Sequence, residues 1–181
     1  MKKIFTLMIA AIMLIGMSIN AEAANFFEEK VGIVIIGSSD YKTKDFIEYA
    51  QDFFKAKDSK IEAGKKIQNK YQNYWLDKGM IEEGTPTKED FINFVDYSGC
   101  KKVIYLVIKD SVTDQHNRKK GKSRARTSLT INAFLTDRNK IIKATSATNE
   151  EDSKTSELRA KRGAFKQCVK ELSDEINPLL K

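Results

Sequence analysis

The sequence predicts one mixed α/β (α+β) domain: a single sheet of about five strands, with a parallel core and a C-terminal antiparallel meander, packed by helices. Three observations predict it. Two short apolar, β-branched runs, VGIVIIG and KKVIYLVIKD, are separated by helical periodicities, as neighbouring parallel strands buried on both faces are. A third run, SLTINAFL, alternates as a strand with one covered face does. A long amphipathic helical pattern closes the chain.

In order, Val31–Gly37 reads as the first central strand, ending at glycine. KTKDFIEYAQDFFKAK follows with Phe46, Ile47, Tyr49, Ala50, Phe53 and Phe54 at helical spacing. DSKIEAG reads as a short second strand. KKIQNKYQNYWLDKG places Ile67, Tyr71, Tyr74 and Trp75 on one helical face, with Gly79 as a stop. In GTPTKEDFINFVDYSGC, Thr85 is the expected cap, Pro86 the first helical residue, Glu89 and Asp90 the acidic first turn, and Gly99 the left-handed terminator.

KKVIYLVIKD is the next buried strand. Leu129, Ile131, Ala133 and Leu135 then alternate with Ser128, Thr130, Asn132 and Thr136, leaving Phe134 as the one apolar residue on the polar face. Asp137–Lys140 is a tight turn and IIKATSAT its hairpin partner. Segment 113–126 is read as the long first loop of the meander. Ser153 and Ser156 are candidate caps for a closing helix over 154–177, expected to bury Leu158, Phe165, Cys168, Val169, Leu172 and Ile176.

The chain opens MKKIFTLMIAAIMLIGMSINAEAANFF. Lys2 and Lys3 precede an apolar run, and Ala21-Glu22-Ala23 is a small-x-small cleavage site. Residues 1–23 are therefore expected to be a cleaved signal peptide, and 24–181 a single globular domain, periplasmic or secreted. The apolar run is short of the roughly 20 residues a spanning helix needs.

Charge is concentrated. Losing residues 1–23 removes two lysines and one glutamate and lowers the net charge from +7 to +6. Segment 113–126 (TDQHNRKKGKSRAR) carries Arg118, Lys119, Lys120, Lys122, Arg124 and Arg126 against Asp114, a net of +5. An acidic partner would meet the protein here. Solvation alone is the plainer alternative, because like charges repel and nothing apolar in the run offsets the cost of ordering it. Arg159, Arg162, Lys166 and Lys170 form a second basic strip at helical spacing on the closing helix. Outside the cytoplasm, and without interleaved aromatics for base stacking, nucleic acid is excluded as the partner. Anionic lipid, an envelope polymer or an envelope protein remains.

Cys100 and Cys168 allow one intramolecular disulfide in an oxidising compartment; the alternative is two buried thiols. The single histidine, His116, lies in the basic segment with no positioned partner for general-base work, so no catalytic residue is assigned. One His and two separated Cys lack zinc-ligand spacing, and no cofactor is expected. The enzymatic alternative is a small phosphate- or metal-binding hydrolase. Asp40 and Asp110 follow the carboxyl ends of the two central strands, where open α/β sheets bind ligands, and GSSD adds the Ser38 and Ser39 hydroxyls. Local turn chemistry explains the same residues without a ligand. Tyr71, Tyr74 and Trp75 have the spacing of a core-facing stripe, which outweighs sugar or peptide stacking.

The order of VGIVIIG, KVIYLVI, SLTINAFL, the turn TDRNKI with its L-x-D-x-x-K pattern (Leu135–Lys140) and a long final helix resembles a known exported architecture. It is the α/β domain shared by the amino-terminal part of the Tol-system protein TolB, the curli-secretion lipoprotein family and a penicillin-binding-protein activator lipoprotein. The resemblance covers most of residues 31–178. It lacks the β-propeller, the lipidation cysteine and the pore-forming insertion of those proteins. It implies an envelope adaptor or accessory role without catalysis.

Overall fold

The computed structural model describes residues 29–57, 59–81, 84–118 and 122–180; the expected signal peptide lies outside them. Five strands form one sheet in the order β2-β1-β3-β4-β5. β1 (Lys30–Ile36) runs parallel to the short β2 (Lys60–Glu62) on one side and to β3 (Lys102–Arg118) on the other. β4 (Lys122–Asp137) and β5 (Ile141–Ser153) complete an antiparallel meander. The mixed sheet and the closing helix are as the sequence predicts.

The continuous apolar character of β1 follows from covered faces on both sides. Ile33 and Ile35 point to one layer, where α1 (Lys44–Phe53) and α4 (Glu157–Ile176) pack. Val34 and Ile36 point to the other, under α2 (Lys65–Asp77) and α3 (Lys88–Ser98). In the first layer Phe46 stands edge-on to Phe165 at 5.0 Å, and Tyr41 stacks on the same ring at 5.9 Å. In the second, Phe91 lies 4.5 Å from Tyr105 and 5.0 Å from Phe134. Phe134, the lone apolar residue on the polar face of its strand, is there to meet α3. Such aromatic pairs add about 1 kcal/mol beyond their buried area.

Two local expectations are corrected. The cap of α3 is Thr87, not Thr85. Thr87 Oγ1 accepts the Asp90 N–H at 3.2 Å, and the Asp90 carboxylate accepts the Thr87 N–H at 2.8 Å. That reciprocal box needs an acid three residues on, which Thr87 has and Thr85 lacks. Leu158 is about half exposed rather than buried. It is the second residue of α4, and Phe165, two turns on along the same stripe, is fully buried. Ser156 caps α4, accepting the Arg159 N–H at 3.2 Å, and Gly99 terminates α3 in the left-handed region (φ 72°).

The Asp90 carboxylate also accepts hydrogen bonds from the Tyr74 hydroxyl at 3.0 Å and from the Lys78 ammonium. Burial alone would raise its pKa. The bonds from Lys78, from the Thr87 N–H and hydroxyl and from Tyr74 outweigh that and bring it to about 2. This group ties α2 to the start of α3.

Candidate functional site

Among its described residues, 113–118 and 122–126, the basic segment is strand rather than loop. β3 and β4 pair through it, ending in His116↔Arg124, Asn117↔Ser123 and Arg118↔Lys122. β1 accompanies β3 only as far as Val107, and β5 accompanies β4 only as far as Ala125. Beyond those points, among the described residues, the strand ladder continues between these two strands alone, as a ribbon. A register shift between Ile108 and Asp110 marks where β3 leaves the parallel core. Such bulges increase twist and re-aim a strand.

Cross-strand partners explain why a segment so charged is strand. The Thr113 and Thr127 hydroxyls pair at 3.1 Å. Arg124 reaches Asp152 and Arg126 reaches Glu150, both across to β5. The root of the ribbon is therefore partly neutralised by β5. Its last described pair is Arg118↔Lys122, and the sequence between these two holds Lys119 and Lys120. Residues 119–121 and the side chains of Arg118 and Lys122 lie outside the described part, as do those of Asp110 and His116.

The strip on α4 is tied to its surroundings. Arg162 is held by Asp45 of α1, the Arg159 guanidinium is 3.4 Å from the Thr155 hydroxyl, and the Lys166 ammonium lies 5.7 Å from the centre of the Tyr49 ring. Lys170 is exposed. Lys161, which the sequence reading did not single out, bridges Asp40 at 2.8 Å and Glu157 at 2.7 Å. Those two carboxylates, Asp40 foremost, raise its pKa.

Asp40 thus spends its carboxylate on Lys161, while its N–H donates to Ser38 Oγ at 3.3 Å in a capped 3-10 turn, Ser39–Tyr41. The backbone of Asp110 faces Thr130 on β4. Among the described residues no group of three or more His, Cys, Asp or Glu is placed to hold a metal ion. The Cys100–Cys168 disulfide is not formed. Both thiols are free and buried, Cys100 under α2 and α3 and Cys168 in the opposite layer, with the sheet between them. Burial pushes both thiols up in pKa. Tyr71, Tyr74 and Trp75 are core residues.

The sequence reading missed a cavity of about 720 Å³ at the carboxyl end of β1, beside the middle of β3 where β1 stops accompanying it, on the α2–α3 face. Its walls come from Ile36–Gly37, Lys42, the second half of α2, the α2–α3 connection and Val107–Lys109. Five separated stretches leave no motif. The one available signal was Leu76, Met80 and Ile81, apolar residues outside the helical stripe.

No family model matches the chain, and no curated protein matches it. Among solved structures, it is similar to the lipoprotein GNA1162 from Neisseria meningitidis, at 14% identity over 83% of this chain and 99% of that one, with a TM-score of 0.47. A minor lipoprotein from Acinetobacter baumannii aligns at 10% identity over 84% and 90% of the two chains, with a TM-score of 0.29. The rare lipoprotein B from Shewanella oneidensis aligns at 7% over 84% and 93%, with a TM-score of 0.31. At these levels the likenesses carry no functional inference. Among the described residues no helix is long and apolar enough to cross a membrane.

Proposed function

We infer that this chain is an exported, non-catalytic accessory protein of the cell envelope that docks on an anionic lipid surface through the far end of the β3–β4 ribbon. One observation carries the reading. The ribbon outruns both of its neighbours, and its last pair among the described residues, Arg118↔Lys122, brackets the most basic stretch of the sequence. The expected leader and the TolB-type order of elements support export and an accessory role. Each cation close to an anionic membrane contributes about 1 kcal/mol. Four of them would give a weak contact, with a Kd on the order of millimolar, that salt reverses.

The test separates the tip from the root. Arg118, Lys119, Lys120 and Lys122 are changed to Ser in one variant, Arg124 and Arg126 in another, and both are sedimented with phosphatidylglycerol vesicles. Loss confined to the tip variant supports docking through the arm. Equal binding by wild type and tip variant contradicts it.

A further inference from the structure

The two edges of the sheet differ. β2 has three residues, and past its end the Gln68 side chain bonds to the backbone of β1. β5 has thirteen residues and pairs only with β4, and no other backbone bonds to it among the described residues. Soluble proteins keep open edges short, or blunt them with charge, proline or a covering element, because a bare edge offers its donors and acceptors to another strand. The middle of β5, residues 144–149 (ATSATN), has neither charge nor proline.

The charges of β5 lie toward its ends, and its two faces sort them. α4 packs on one face, where Lys143 meets Glu175 at 2.8 Å and Glu151 accepts from Gln167 at 2.8 Å. On the other face Ala144, Ser146 and Thr148 are exposed, and Glu150 and Asp152 are held by Arg126 and Arg124 of the same chain. Glu151 is therefore the one acid of β5 on the face of Lys143.

We propose that β5 is the contact between two copies of this chain, paired edge to edge and antiparallel about a two-fold axis at Ala147. The axis stands perpendicular to the sheet, so α4 of each copy lies on the same side, and directly opposite residues share a face. Charge selects this register. Lys143 of each copy stands opposite Glu151 of the other, and no other acid of β5 is on the face that Lys143 occupies. Lys143 keeps Glu175 as well, since an ammonium has three donors. Between those two charge pairs, Thr145 faces Asn149, Ser146 faces Thr148 and Ala147 faces its own counterpart. Parallel pairing in register would instead set like charges together. The arrangement is a self-complementary patch, the interface type of two-fold dimers. It does not involve the ribbon tip, so it stands or falls separately from docking on lipid.

The protein, purified as the cell processes it, is sedimented over a range of about 1–300 µM, where an interface of modest area associates. The expected result is a reversible monomer–dimer equilibrium. Lys143→Glu alone and Glu151→Lys alone each weaken self-association by about tenfold or more, because each homodimer then holds two like-charge contacts. An equimolar mixture of the two variants recovers association, because both contacts of the mixed dimer are again attractive. Damage to the fold of either variant would not be repaired by mixing. A readout on the wild type needs no variant: the backbone amides of residues 144–149 exchange with solvent more slowly as the protein concentration rises. The proposal is overturned if the wild type sediments as a monomer throughout, or if its dimer is weakened by neither charge reversal. It is equally overturned if the mixture stays monomeric while both variants melt as the wild type does, or if exchange at 144–149 is independent of concentration where the dimer forms.

Discussion

The side-chain amide of Gln68 pairs with the backbone of Ile35 as a neighbouring strand would. Its Oε1 accepts the Ile35 N–H at 3.2 Å and its Nε2 donates to the Ile35 carbonyl at 2.9 Å. β2 stops opposite Gly32, so this one glutamine from α2 closes the outer edge of β1 where the strand is fully buried. Removing it strands two backbone groups out of reach of water. Gln68→Ala is expected to lower stability by about 2 kcal/mol, and Gln68→Leu by a similar amount despite its size. Urea denaturation checks this: the midpoint should fall with the slope unchanged.

Asp90 sets an acid limit. Its folded pKa, about 2, lies below its unfolded value. The associated stability is therefore fully present above about pH 4 and is lost as the pH falls toward 2. Asp90→Asn is expected to cost about 2 kcal/mol at pH 7. The gap between variant and wild type should close in that acid window. A gap that stays constant from pH 7 to pH 2 would refute the ionic account of this group.

Gly163 in α4 lies under Glu151 of β5: a Cβ there would stand 2.4 Å from the Glu151 Cγ. The same glutamate accepts a hydrogen bond from Gln167 at 2.8 Å. Gly→Ala inside a helix ordinarily gains about 1 kcal/mol. Gly163→Ala should show that gain only in a Glu151→Ala background and lose it in the wild type, which a double-mutant cycle on thermal stability measures.

Cys100 and Cys168 are free thiols buried in the two different layers, with the sheet between them. A reductant should leave the melting temperature unchanged. Both thiols should resist a thiol reagent at neutral pH until the protein unfolds, since burial raises their pKa.

Patterns that repeat locally were legible in the sequence. The doubly apolar strands, the alternation of Leu129 to Leu135 and the stripes of the helices gave the mixed sheet and its two layers. What depended on partners distant in sequence was not. Segment 113–126 looked like a loop because its own residues offer no reason to order. Its strand character comes from the pairing of β3 with β4, and two of its charges are met by Asp152 and Glu150 of β5, some 25 residues away. Leu158 failed because a periodicity shows that a face is apolar but not how much of its length is covered, and Leu158 stands in the first turn of α4. Asp40 looked available at a strand end, and its partner Lys161 lies 121 residues on. The cavity escaped notice because each wall contributes only one or a few residues.

The most direct measurement is binding of the protein to its own cell-envelope fraction across a salt series, beside the variant with Arg118, Lys119, Lys120 and Lys122 changed to Ser. The account predicts that the wild type binds at low salt and is released as salt rises, and that the variant stays in solution throughout. Equal, salt-insensitive behaviour of the two would contradict it and leave the ribbon a solvated arm without a docking role.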